Sequence, residues 1–177
     1  MATEAAYDHT ASLPGLVVCH GPNVASTVAT LTMTASEARC GRIYPSRAMT
    51  IASIAFEVTT AAAGNVDVGI YRGSDMALLA SSGSTAGKLG TTGIQTVSLS
   101  APYTLSPGTP YYLAIVADST PTLRCVSLGG NPFNNIFGAA NPYAYIGTRA
   151  AAGIPLPATL GAAWGSAFTF LLAARES

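Results

Sequence analysis

The sequence predicts an all-β protein: an antiparallel β-sandwich of the jelly-roll type with an extended N-terminal arm. Three observations favour this fold: short runs of alternating apolar and polar residues, frequent Gly and Pro turn signals, and few charged long-chain helix formers. The chain has 177 residues, a length typical of one domain whose core needs no disulfide or metal. We therefore expect an arm and pairing strand at residues 1–48 and a sandwich domain at residues 49–177.

The first half of the chain is assigned in order from this alternation. Residues 1–20 mix charge with turn formers and predict an extended arm. The Ser/Thr-alternating run 24–34 predicts a strand that pairs either with the sandwich or with another copy of the chain. Residues 50–60 and 66–71 both alternate and are separated by a short turn, which predicts a hairpin with one wet face.

The second half continues the series of strands. Residues 81–93 are rich in Ser, Gly and Thr and predict an exposed loop. Residues 111–116 are apolar at every position, so we expect a central strand that is buried on both faces. The other strands predicted here are 76–80, 94–99, 122–128, 143–146 and 165–173.

Charge is scarce and balanced. Charged residues make up 9% of the chain, and the formal net charge is zero. Weak repulsion between copies favours a protein that works packed against neighbours. Arg39, Arg42 and Arg47 form a small basic group, which is more typical of a solvated loop or an assembly contact than of a nucleic-acid site. We therefore expect no nucleic-acid partner.

No export signal or membrane span is expected. The first residues are acidic rather than basic, unlike a secretory signal. Residues 150–174 lack charge, but Pro155, Pro157, Gly161 and Gly165 would interrupt a spanning helix. This stretch is therefore interpreted as part of the sandwich.

The odd number of cysteines argues against a disulfide framework. Cys19, Cys40 and Cys125 are widely spaced, which favours buried thiols in a reducing compartment. A single bridge between Cys19 and Cys40 stays open, because bridging depends on the distance between their Cα atoms.

The groups that could carry catalysis do not form a recognisable site. His20 follows Cys19, a pair more typical of packing than of a thiol nucleophile or a zinc site with Cys40. Residues 83–89 differ from a phosphate loop in their glycine spacing and in having Leu89 at the Mg²⁺-binding position. We expect no enzyme activity, cofactor or metal.

The carboxylates do not form a recognisable catalytic site either. Glu57 and Asp67 are expected as an exposed polar pair across the predicted hairpin. Asp75 and Asp118 fall at turns, where Asp side chains normally bond the backbone.

Aromatic residues in the last third of the chain offer a candidate contact surface. Flat exposed rings are the usual means of binding sugars. The candidates for contact with a glycan or a host surface are Phe133, Phe137, Tyr143, Tyr145 and Trp164.

The chain from Thr50 to the C-terminus resembles a β-sandwich module of virion proteins of tailed bacteriophages. The stretches that carry the resemblance are GNVDVGIYR at 64–72, LLA at 78–80, QTVSL at 95–99, LSPGTPYYLA at 105–114 and LPA at 156–158. The module resembles ones found on capsids, fibres and tails, and it carries no catalytic residues.

This resemblance implies a non-enzymatic virion structural protein of the capsid decoration, cement or fibre type. The reading we favour is a head-decorating or cement subunit that binds and stabilises the particle. Its partners would be other virion proteins such as the major capsid protein and further copies of itself, with a homotrimer expected by analogy. The alternative is a fibre or tail module that binds a receptor or a host-surface glycan.

Overall fold

The computed structural model of the chain describes residues 16–18, 27–127, 146–150, 154–160, 164–165 and 168–177. Within these residues the fold consists of two antiparallel sheets of seven strands each, packed against one another. The prediction of an all-β antiparallel sandwich is confirmed. The described residues contain no helix long and apolar enough to cross a membrane.

Sheet A contains β1 (Leu16–Val18), β2 (Thr27–Thr32), β4 (Met49–Thr60), β8 (Gly93–Leu105), β10 (Thr122–Ser127), β13 (Phe168–Phe170) and β14 (Ala173–Glu176). Sheet B contains β3 (Glu37–Ile43), β5 (Asn65–Arg72), β6 (Leu78–Ser81), β7 (Thr85–Ala86), β9 (Tyr111–Ala117), β11 (Ile146–Ala150) and β12 (Trp164–Gly165). In sheet A the paired strands follow the order β1–β14–β4–β10–β13, with β8 added to β4 and β2 added to β10. In sheet B the order is β12–β11–β3–β9–β5–β6, with β7 added to β5.

β9 lies in the middle of sheet B, between β3 and β5. All of its residues are buried. Leu113 and Ile115 enter the core between the two sheets, whereas Tyr112, Ala114 and Val116 enter a second apolar cluster on the outer face of sheet B. The predicted central strand is therefore confirmed, and its unbroken apolar run reflects the two faces that it buries.

The predicted hairpin between residues 50–60 and 66–71 is wrong. β4 belongs to sheet A and β5 to sheet B, so residues 61–64 cross between the sheets. On one edge β4 pairs with β8 along most of its length, and on the other edge it pairs with β14 and β10. Period-two alternation fixes which face of a strand is buried, but it does not determine which strand lies beside it. A side chain at Gly64 would collide with Asp118 and Ser119, so the crossing requires glycine.

Residues 27–43 of the segment assigned to the arm and pairing strand lie in the sheets. β2 pairs antiparallel with β10, so its partner is this chain's own sandwich. β3 lies between β9 and β11. Of the predicted arm, residues 1–15 and 19–20 lie outside the described residues, and Leu16–Val18 pair with β14.

The segment at residues 81–93 is anchored rather than fully exposed, contrary to expectation. Residues 85–86 pair with β5, and Leu89 lies in the core with no exposed surface. The Leu89 carbonyl accepts a hydrogen bond from the Ala62 amide at 3.0 Å. One apolar side chain among Ser, Gly and Thr is thus enough to hold this segment against the sandwich.

A strap formed by residues 154–160 crosses the outer face of sheet B. Leu156 and Leu160 are buried in the second apolar cluster, with Ile154 packed against it. Four hydrogen bonds tie the strap to β5 and β6 or to residues beside them. The strap accounts for part of the uncharged C-terminal stretch, since its apolar residues cover a sheet face.

Candidate interaction surface

The outer face of sheet A leaves most of its described outward side chains exposed or partly exposed. Alternate residues of its strands fill the core between the sheets, so the intervening residues point outward. The outward positions that are exposed or partly exposed are Val28, Thr30, Thr32, Thr50, Ser53, Glu57, Thr59, Ile94, Thr96, Ser98, Thr104, Thr122, Arg124, Ala173 and Arg175. We call this set the A face.

Most A-face side chains are short, and several are held by hydrogen bonds across the sheet. The hydroxyl groups of Thr32 and Thr122 lie 3.0 Å apart. Those of Thr50 and Thr104 lie 2.9 Å apart. Short side chains lose little rotamer entropy when they are covered, and ordered hydroxyls lose even less. The A face can therefore be covered by another protein surface at a low entropic cost.

One ion pair lies near the middle of the A face. Arg124 donates to both carboxylate oxygens of Glu57, from Nε to Oε2 at 3.2 Å and from Nη2 to Oε1 at 2.9 Å. The side chains are 34% and 37% exposed, so both remain accessible to a partner. The hydrogen bond from Arg124 lowers the pKa of Glu57 from its ordinary value. The carboxylate therefore stays ionised at neutral pH.

Two exposed apolar side chains flank this pair. Ile94 on β8 is 76% exposed and lies opposite Glu57 in the strand register. Val28 on β2 is 64% exposed and lies on the far side of β10. A shallow depression between β4, β8 and β14 includes Ile94 and Glu57 in its lining. The A face thus combines a central charge pair with apolar side chains on both sides.

Asp67 does not face Glu57 and is not exposed, contrary to expectation. It lies on β5 in the other sheet, and it is a fully buried polar residue. Its Oδ2 accepts a hydrogen bond from the Leu156 amide at 2.7 Å, and its Oδ1 accepts one from the Ser82 hydroxyl at 2.9 Å. Asp67 therefore fastens the strap to sheet B. The error followed from the wrong hairpin, which put β4 and β5 in one sheet.

The two turn carboxylates have the roles expected from the sequence. Asp75 accepts a hydrogen bond from the Ala77 amide at 3.2 Å. Asp118 accepts one from the Asn65 amide at 2.7 Å and another from the Asn65 side chain at 2.7 Å. Within the described part of the chain, no group of three His, Cys, Asp or Glu side chains is placed to hold a metal ion.

The three arginines of the basic group point to different sites rather than forming one patch. Arg39 pairs with Glu37 at 2.6 Å, and Arg47 pairs with Glu176 at 2.7 Å. The Arg42 guanidinium lies 4.9 Å from the centroid of the Tyr44 ring. Arg39 and Arg42 lie on strand β3, so the expectation of a solvated loop is wrong for these two residues.

Two of the three cysteines are described. Cys40 and Cys125 are buried, as expected. Burial raises the pKa of the Cys125 thiol, which keeps it protonated and unreactive. Cys19 lies outside the described residues, so the predicted alternative of a bridge between Cys19 and Cys40 stays open.

The aromatic contact surface predicted from the sequence also falls largely outside the described residues. This holds for Phe133, Phe137, Tyr143 and Tyr145. The backbone of Trp164 pairs with Thr148 in sheet B. The side chain of Trp164 lies outside the description.

Sequence reasoning missed the A face because its signal lies in the sheet partners. The Thr, Ser and Ala residues are dispersed over several strands, and they become neighbours only once the strand order is known. Glu57 and Arg124 are 67 residues apart in the chain. The available signal was the low charge of the sequence, which predicted contact with neighbours without placing it.

No family model matches this chain, and no curated protein matches it either. Among solved structures, it is similar to the cysteine protease and lectin-like domains of Cwp84, a surface layer associated protein of Clostridium difficile. That match has a TM-score of 0.46 at 12% identity and covers 84% of this chain and 34% of the other. A second structure of the same clostridial cysteine protease, after propeptide cleavage, has a TM-score of 0.46 at 12% identity and is covered over 38% of its length. This chain thus spans little more than a third of either structure, and a likeness at this level carries no argument about function.

Proposed function

We propose that this chain is a non-enzymatic structural subunit of a bacteriophage particle, of the capsid decoration or cement type. In this role it binds the particle and stabilises it by contacts between protein surfaces. The observation that carries the proposal is the A face, a sheet surface made mostly of short, uncharged side chains, several of which are held by hydrogen bonds.

The chemistry of the A face suits repeated protein contacts. Lys and Arg side chains lose about 1.5–2 kcal/mol of rotamer entropy on burial, whereas Ala loses none. A surface of Thr, Ser and Ala therefore loses little entropy when it is covered. Two of its three charged residues, Glu57 and Arg124, already neutralise each other, so the central pair adds no unpaired charge that has to be desolvated. The third, Arg175, lies on β14 and donates to the Thr96 hydroxyl at 3.5 Å.

The stretches that resemble virion modules support the same proposal through the fold. Residues 64–72 comprise Gly64 and the whole of β5, and residues 105–114 run from the last residue of β8 into the first half of β9. Leu105 and Leu113 from the second stretch are fully buried. The resemblance therefore rests on core and turn residues, which specify a sandwich, and the A face supplies the argument for its use.

The proposal is tested with phage particles that lack this protein. The purified chain is added to these particles, and the bound fraction is measured after sedimentation through a gradient. We expect the native chain to bind, and Ser98→Lys on the A face to bind about 10-fold less tightly or worse, because a long charged side chain would be desolvated in the contact.

The matched control is Ser84→Lys, an exposed serine in the segment next to sheet B. It introduces the same charge and length outside the A face, so binding should equal that of the native chain. Equal binding by all three proteins would remove the A face from the proposal. A native chain that stays at the top of the gradient would refute the structural role itself.

A further inference from the structure

We propose that the A face binds the A face of a second copy of this chain, around a two-fold axis that is parallel to β4 and passes between Glu57 and Arg124, where β4 and β10 lie side by side. This inference rests on the proposed function, since it names the protein surface that covers the A face on the particle: the A face of another copy, which leaves other surfaces of the pair to contact the remaining virion proteins. It goes further in committing to one occupant and one symmetry.

A row of four outward residues crosses sheet A from β8 to β2. Ile94 lies opposite Glu57 in the pairing of β8 with β4. Glu57 is bonded to Arg124 on β10. Arg124 lies opposite Thr30 in the pairing of β10 with β2. The row therefore reads apolar, acidic, basic and small polar, with the exposed Val28 one outward position along β2.

Such a row is complementary to itself. A two-fold axis lying in the interface and between β4 and β10 exchanges β4 with the partner's β10. It therefore places Glu57 of each copy against Arg124 of the other. The two intramolecular pairs then become a ring of four alternating charges, in which each carboxylate meets two guanidinium groups.

The same operation covers the exposed apolar side chains. It exchanges β8 with the partner's β2, so Ile94 of each copy lies over the strand that carries Val28 and Thr30. Both apolar side chains thereby leave water. An axis at right angles to the strands would instead place Glu57 over Glu57 and Arg124 over Arg124. The charges therefore select one of the two simple arrangements.

The available area is sufficient for a specific dimer. β4 and β8 span about 40 Å at about 3.3 Å per residue, since they have 12 and 13 residues. The six-residue strands β10 and β2 span about 20 Å, and the short strands β14 and β1 continue these two rows beside β4. At about 4.8 Å per strand the face covers roughly 650 Å² on each copy, which approaches the roughly 800 Å² per partner of a standard interface. Short side chains also allow two twisted sheets to approach as closely as they do in a sandwich.

A two-fold contact differs from the trimer expected by analogy with virion modules. In a ring of three copies each contact joins two different surfaces. The row from Ile94 to Thr30 is instead suited to meeting itself. The A face therefore favours pairs of copies as the unit that assembles.

The test measures association by sedimentation equilibrium of the native full-length chain and of two charge reversals, Glu57→Arg and Arg124→Glu. We expect the native chain to be a dimer. Each reversal puts four like charges together, so each variant alone should dissociate about 10-fold more readily or worse. Circular dichroism verifies that both variants remain folded, which is expected because the residues are partly exposed.

The decisive measurement is the sedimentation equilibrium of a mixture of the two variants. One variant carries two basic groups at these sites and the other carries two acidic groups, so a heterodimer regains every opposite-charge contact between copies. We expect the mixture to sediment as a dimer. Asp75→Arg is the matched control, because it reverses one member of the exposed Arg72–Asp75 pair away from the A face and should leave the native dimer unchanged.

Two results would overturn the pairing: a native chain that stays monomeric, or a dimer that neither reversal weakens. A mixture that stays monomeric would also overturn it, because the reversals would then act within each copy. These outcomes are separable from the particle assay. A monomer that binds particles would refute the pairing alone, and a dimer that ignores particles would refute the proposed function alone.

Discussion

At the scale of single residues, Asp67 is the buried polar side chain that links the strap to sheet B. It is fully buried, and it accepts hydrogen bonds from Ser82 on one side and from the strap at Leu156 on the other. Removing an acceptor from a buried donor exposes the full desolvation penalty of that donor. The Asp67 carboxylate therefore holds the strap in place against sheet B.

Asp67→Ala should lower the free energy of unfolding by about 1–3 kcal/mol, because the buried Leu156 amide loses its acceptor. Asp67→Asn should cost less. Its carbonyl can still accept from Leu156, and its amide can donate to the Ser82 hydroxyl, which then donates to the Gly83 carbonyl 3.0 Å away. Urea titration gives both values.

The control is Asp75→Ala, which removes a carboxylate that is about half exposed. Its effect should be smaller than that of Asp67→Ala, because water replaces the lost contacts. If the Asn variant is as unstable as the Ala variant, the hydrogen bonds assigned to Asp67 do not hold the strap.

Tyr71 gives the strap a pH dependence on the alkaline side. Its hydroxyl donates to the Pro157 carbonyl at 2.7 Å. Burial, followed by the nearby Cys40 and Asp67, raises the pKa of Tyr71 well above its ordinary value. A raised pKa means that the folded state holds the proton more tightly than the unfolded state.

The contribution of Tyr71 is therefore fully present below the ordinary tyrosine pKa of about 10 and is lost as the pH rises above it. We expect the free energy of unfolding to fall above about pH 10, and to fall less steeply in Tyr71→Phe. Denaturant titrations between pH 8 and pH 11 measure both slopes. Equal slopes would show that Tyr71 ionises as easily in the folded chain as in the unfolded one.

At the scale of elements, the sequence predicted the strands better than it predicted their neighbours. The unbroken apolar run of β9 indicated a strand buried on both faces, and β9 has that position. The alternation over residues 50–60 indicated a strand with one buried face, and on β4 Ile54, Phe56 and Val58 lie in the core. Burial leaves a local signature of this kind because each position has a fixed face.

The pairing of one strand with another leaves no comparable signature in the local sequence. β4 and β5 follow one another in the chain and alternate equally well, yet they lie in different sheets. The burial of Asp67, the strap over sheet B and the A face all depend on that choice. For this reason the candidate surface was not predictable in detail, although a contact role was expected from the low charge.

The position of β9 makes a measurable prediction. Ile115→Ala should lower the free energy of unfolding by about 2–5 kcal/mol, because it removes buried methyl groups and leaves a cavity in the core. Ile94→Ala is the same chemical change at a side chain that is 76% exposed. It should cost less than about 0.5 kcal/mol at concentrations where the chain is monomeric. Similar losses in the two variants would show that β9 is not central.

At the scale of the whole molecule, the outer faces of the two sheets differ in what covers them. The outer face of sheet B is covered by the strap, which supplies Leu156 and Leu160 to an apolar cluster. The outer face of sheet A carries short polar side chains around the pair of Glu57 and Arg124. One face is thus closed by the chain itself, and the other is suited to contact with a further protein surface. This asymmetry is the physical basis of the proposed structural role.

Electron microscopy of phage particles with and without this protein tests that role most directly. The account predicts density the size of a β-sandwich at regular positions on the native particle, its loss when the protein is missing, and its return when the purified chain is added back. Particles that look the same with and without the protein would contradict the account.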